Sequence, residues 1–129
     1  MTCVSERVAR HDLTICRGDS TAIIMRFRTL SESGETVFLD LTGSDLTLTI
    51  DWPGGRLLRQ SSDGGLVVDA LVGTVTWSPQ SQDTLAIPDG RIATYRMVRD
   101  ILGGERRTLL EGFIIGMGFA TEGGVSSDV

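Results

Sequence analysis

Apolar and polar residues alternate with a period of two through most of this chain. In "DLTLTIDW" (45–52), Leu46, Leu48, Ile50 and Trp52 fall on one side and Thr47, Thr49 and Asp51 on the other. That is the pattern of a half-buried strand. "STAIIMRFR" (20–28) repeats it, with Thr21, Ile23, Met25 and Phe27 inward and Arg26 and Arg28 outward. "GTVTWS" (73–78) puts Val75 and Trp77 inside, and "RIATYRMVRD" (91–100) does the same with Ala93, Tyr95 and Met97. "RRTLLEGFIIGMGF" (106–119) reads as a last long strand with Leu109, Phe113, Ile115 and Met117 on its core face. Gly112 and Gly116 there would permit a bulge or a close backbone approach. The expected core is Ile23, Phe27, Leu48, Ile50, Trp52, Val75, Trp77, Tyr95, Leu109 and Phe113.

Turn residues separate these runs: Gly18-Asp19, Ser33-Gly34, Thr42-Gly43, Pro53-Gly54-Gly55, Asp63-Gly64-Gly65, Pro88-Asp89-Gly90 and Gly103-Gly104. Shorter strands are expected at "VFLDL" (37–41), "RLLRQ" (56–60) and "LVVDA" (66–70). Short strands with a turn every ~8–12 residues point to an all-β sandwich or barrel. One segment departs from the alternation. "SPQSQDTLAI" (78–87) offers Ser78 as an N-cap, Pro79 at the first helical position, and Leu85 and Ile87 as anchors, so a short helical turn is expected near 79–86. The ends are different again. Residues 1–10, with Val4 and Val8, are expected to form an interaction arm, and 120–129 a flexible tail, around a domain at 11–119.

Composition narrows the partners. The net charge is −5, from 17 acidic and 12 basic residues, opposite to what binding a phosphate backbone requires. Every basic residue is arginine, which suits planar pairing across protein interfaces, although a GC-rich coding bias has the same effect. No stretch approaches the ~20 apolar residues of a membrane span, and the first residues lack the apolar run of a secretory leader. The expected partners therefore include neither nucleic acid nor membrane. Cys3 and Cys16 are expected to be reduced thiols.

Candidate chemistry is sparse. Arg17-Gly18-Asp19 spells a cell-adhesion tripeptide, but strand-like residues flank it closely, so Gly18 and Asp19 are read as a structural turn. Cys3, His11, Asp12 and Cys16 lack the paired spacing of a zinc site. The carboxylates Asp40, Asp45, Asp51 and Asp69 sit at turns or on outward positions. Glu111 shares the parity of Leu109 and Phe113, and is expected to pair with Arg96 or Arg106. A single histidine leaves no Ser–His–Asp set, and no phosphate-binding glycine loop occurs. No catalytic, cofactor or metal site is expected.

Laid end to end, the features resemble the small β-sandwich domain of tailed-phage structural proteins, found at the N-terminus of baseplate upper proteins and in stand-alone tail proteins. The similarity runs over residues 11–119. It includes the turn Gly18-Asp19, the "LDLTG" segment from Leu39 to Gly43, and the strand–turn–strand pattern from Gly73 to Val98. The closing Arg107, Leu109 and Gly112 belong to it as well. The resemblance implies an immunoglobulin-like antiparallel β-sandwich of about seven to nine strands. It also implies a non-enzymatic virion protein, made in the host bacterial cytoplasm and acting as a tail, baseplate or fibre-attachment connector. Its implied partners are other virion proteins, with a homo-oligomer in the particle. The alternatives are a head-decoration protein and a host-surface or carbohydrate-binding sandwich, for which aromatic residues are few.

Overall fold

The computed structural model describes residues 9–101 and 103–118. Its strands are Ala9–Arg10 (β1), Leu13–Cys16 (β2), Ile23–Arg26 (β3), Arg28–Leu30 (β4), Thr36–Phe38 (β5), Ser44–Trp52 (β6), Gly55–Gln60 (β7), Val67–Asp69 (β8), Thr74–Trp77 (β9), Gly90–Ile101 (β10) and Arg106–Met117 (β11). A 3₁₀ turn at Ala70–Val72 and a helix at Ser81–Ala86 (α1) complete it.

Two sheets form the body. The larger, six-stranded one runs β1-β11-β10-β6-β7, with β2 also on β11, and the smaller runs β3-β9-β8. This strand order is that of an immunoglobulin-like sandwich: β11-β10-β6 take the place of its three-stranded sheet, extended at one margin by β7 and at the other by β1 and β2, and β3-β9-β8 face them. The hairpin β4-β5 continues the β3 strand beyond the body, since β3 and β4 are one run interrupted at Phe27. The strands pair antiparallel except at the N-terminus, where β1 and β2 run parallel to β11. Thus Ala9 and Arg10, expected in the arm, already belong to the sheet. Val4 and Val8 lie outside the described residues.

Apolar residues from both sheets meet in one core: Met25, Phe27, Val75 and Trp77 from the smaller, and Leu48, Ile50, Tyr95, Met97, Leu110 and Ile114 from the larger. Ile23, Trp52 and Leu109 are partly buried against it. Trp77 is buried, and its indole N–H has no acceptor among the described residues, so packing alone holds it.

Three expectations need correction. Leu110, Ile114 and Gly116 of β11 are buried in place of the expected face, and Phe113 is outside the core cluster. The cause is a bulge. Met97 pairs with Leu110 but Val98 with Thr108, so Leu109 is an extra residue and the alternation shifts by one beyond it. Thr47 and Thr49, expected to be solvated, are buried because β6 is central. Gln60 and Val98 flank the first, Leu58 and Arg96 the second, and all four are larger. Finally, α1 begins two residues later than expected, with Gln80 as N-cap in a capping box with Asp83. Ile87 anchors its end, fully buried, whereas Leu85 is exposed.

Candidate functional site

The tripeptide Arg17-Gly18-Asp19 closes the turn after β2. Gly18 takes a φ of 84°, and the Asp19 N–H donates to the Cys16 carbonyl at 3.0 Å. The half-buried Arg17 side chain turns back onto the protein's own backbone carbonyls. Its Nε donates to the Ile87 carbonyl at 2.8 Å and its Nη2 to the Leu85 carbonyl at 2.9 Å. Thr84 of α1 in turn donates its hydroxyl to the Asp19 carbonyl at 2.7 Å. The segment pins the helix to the end of the larger sheet, a role that the three letters by themselves do not reveal.

His11, Asp12 and Cys16 do not converge, and no metal-ligand cluster occurs among the described residues. Cys3 lies outside them. Instead, His11 and Asp12 bridge the break between β1 and β2. Tyr95 donates its hydroxyl to the His11 carbonyl at 2.5 Å, and the Phe113 N–H donates to the Asp12 carboxylate at 3.0 Å. That backbone donor, followed by Arg91 at 2.9 Å, holds Asp12 below the usual carboxylate range. Burial, then the Asp12 charge, pushes the Tyr95 hydroxyl up to about 12. Gly112 is required under this crossing, because a Cβ there would overlap the His11 carbonyl. Arg91 also covers the Phe113 ring at 4.4 Å, which accounts for an aromatic residue outside the core. Glu111 lies opposite Arg96 in register but pairs with Arg10 at 2.6 Å, and Arg106 faces Asp100.

An open cleft of about 240 Å³ lies beside α1, lined among others by Arg59, Thr76, Ser78, Gln80 and Asp83. Its one guanidinium and one carboxylate already pair with each other at 3.0 Å.

The feature best placed to engage another molecule is backbone. Backbone groups alternate sides along a strand, so residues two apart face the same neighbour. The Phe27 N–H donates to the Gly73 carbonyl at 2.8 Å, and the Phe27 carbonyl accepts from the Leu39 N–H at 3.0 Å. The Ser31 N–H donates to the Glu35 carbonyl at 2.8 Å. Odd-numbered residues of this run therefore face β9 and β5. The N–H and C=O groups of Ile24, Arg26, Arg28 and Leu30 face away, and none of them has a partner among the described residues. The open edge spans Ile23 to Leu30, about 26 Å at ~3.3 Å per residue. The same four side chains are exposed, Ile24 at 49% and Leu30 at 68%. The alternation shows these side chains to be outward in the sequence. It carries no sign that the backbone beside them is unpaired.

No protein-family model and no curated protein matches the chain. Among solved structures, extracellular domains 3–5 of Drosophila OTK are similar over 84% of this chain and 32% of that one, at 15% identity and a TM-score of 0.35. The chain thus spans about a third of the length of that structure, and a likeness this loose bears on neither fold nor function.

Proposed function

We propose that this chain is a non-enzymatic structural protein that connects neighbouring proteins of a tailed-phage virion at the tail, baseplate or fibre attachment. The observation supporting the connector role is the open edge from Ile23 to Leu30, which offers backbone hydrogen bonds along its length. Edges of this kind are where extended segments of other chains add to a sheet. The virion setting rests on the sequence resemblance over residues 11–119. A sugar-binding role has less to build on, since Trp77 and Tyr95 are buried and the Trp52 indole lies against Gly55. Mass spectrometry of purified particles, with gold-labelled antibody under the electron microscope, tests the proposal. The expected result is stoichiometric chain at the tail end. Label over the capsid would move it to head decoration, and washed particles without the chain would overturn it.

A further inference from the structure

The edge also carries information about what it accepts. Most described arginines are already engaged: Arg10, Arg56, Arg59, Arg91, Arg106 and Arg107 by carboxylates, and Arg17 and Arg99 by backbone carbonyls. Arg26 and Arg28 have no such partner among the described residues, and only Arg96 shares that condition. Both stand on the open edge, between Ile24 and Leu30, with side chains on the outer face. Arg28 only leans towards the Phe38 ring, at 5.6 Å.

A second copy is a poor match for this edge. Antiparallel pairing must bring even-numbered residues opposite even-numbered ones, because only these have free backbone groups. Joining Ile24 to Leu30 sets Arg26 against Arg28 twice. Joining Ile24 to Arg28 sets Arg26 against Arg26, and joining Arg26 to Leu30 sets Arg28 against Arg28. Every register that uses three or more of the four outward residues opposes like charges, which is unfavourable directly across a strand pair. A strand with carboxylates at the matching positions turns the same geometry into attraction.

We propose that the edge from Ile23 to Leu30 is a docking site for an extended acidic segment of a partner protein, added antiparallel as a further strand of the smaller sheet. The segment carries apolar residues opposite Ile24 and Leu30, and Asp or Glu opposite Arg26 and Arg28. Its signature is apolar-x-acid-x-acid-x-apolar. This inference rests on the connector reading and deepens it by naming the surface and the chemistry of the partner.

The test uses the full chain and two synthetic seven-residue peptides, with valine at both ends, threonine at the even positions, and either glutamate or lysine at the third and fifth. Binding is followed by calorimetry and by amide hydrogen exchange. The glutamate peptide should bind, more weakly as salt rises, and should slow exchange at Ile24, Arg26, Arg28 and Leu30. The Arg26→Glu/Arg28→Glu variant should lose about tenfold in affinity for it and bind the lysine peptide instead. Ile24→Pro removes an outward N–H without touching the β9 ladder, so binding should fall while circular dichroism stays unchanged. If that variant fails to fold, the charge reversal still decides. Equal binding of both peptides, or full binding by a folded Ile24→Pro, would overturn the proposal. So would a wild-type dimer that Ile24→Pro dissolves, because the occupant would then be a second copy. Full incorporation of Arg26→Glu/Arg28→Glu into particles would overturn the edge assignment while leaving the connector reading intact. Absence of the wild-type chain from particles would strike only that reading.

Discussion

Strand β7 and the run β3-β4 both lie at the margin of a sheet, yet their outward backbones are treated in opposite ways. In β7, the bond from the Ser61 N–H to the Leu46 carbonyl sets the alternation, so Arg56, Leu58 and Gln60 face outward. The Leu58 carbonyl accepts from Arg59 Nη1 at 2.8 Å, and the Gln60 carbonyl accepts from the Leu66 N–H at 3.2 Å. The run β3-β4 is longer and has no such cover among the described residues. The other margins are short: β5 and β8 have 3 residues each, and the N-terminal edge breaks between β1 and β2. Sheets that must avoid pairing blunt their edges in such ways, whereas the run from Ile23 to Leu30 is left plain among the described residues.

The largest effect expected from this comparison comes from moving a proline by one residue. Met25 is buried and faces β9, so Met25→Pro removes a ladder bond and disrupts the core. It should destabilise the domain by ~3 kcal/mol or more, read as loss of a cooperative melt. Ile24→Pro, on the open side, should melt within a few degrees of wild type. Equal damage from both would mean that the alternation is assigned backwards.

Arg17→Ala should come next. It removes the bonds from Arg17 to the Leu85 carbonyl of α1 and to the Ile87 carbonyl just past its end, and is expected to lower stability by about 1–2 kcal/mol in denaturant titration. Unchanged stability would return the tripeptide to the list of exposed motifs.

Tyr95→Phe should remove about 1 kcal/mol with the His11 bond, and it adds a signature in pH. The hydroxyl titrates near 10 in the unfolded chain and at about 12 when folded, so the folded state holds the proton more tightly. Its contribution is full below pH ~10 and is lost as the pH rises through about 12. The chain has no lysine and one tyrosine, so the alkaline decline should be largely absent in the variant.

The smallest change in stability is expected from Arg59→Ala, a few tenths of a kcal/mol in line with a partly exposed ion pair. Its informative readout is association. Freeing the Leu58 carbonyl should make β7 stickier, seen as a concentration-dependent rise in mass by light scattering. A variant that stays monomeric at high concentration would show that the guanidinium does not guard that edge.

Much of the fold was legible in the residues. Alternation placed Met25, Phe27, Leu48, Ile50, Val75, Trp77, Tyr95 and Met97 inside, because a strand can bury only every second side chain. Gly18, Gly34, Gly43, Gly54, Gly64, Gly90 and Gly103 marked turns, and each has a positive φ. The bulge at Leu109 escaped this reading, since two adjacent leucines fit either parity equally well. Only pairing with Met97 and Val98 reveals the extra residue. The roles of Arg17 and Asp12 escaped it too, because their partners Ile87 and Phe113 are distant in sequence. The candidate site divides along the same line. Residue types alone determined that Ile24, Arg26, Arg28 and Leu30 point outward, as the exposed half of a strand. That their backbone groups are also free was decided only by the tertiary structure, because a hydrogen-bonding group is open or closed according to which strand lies beside it, and that neighbour is set by the packing of the whole chain.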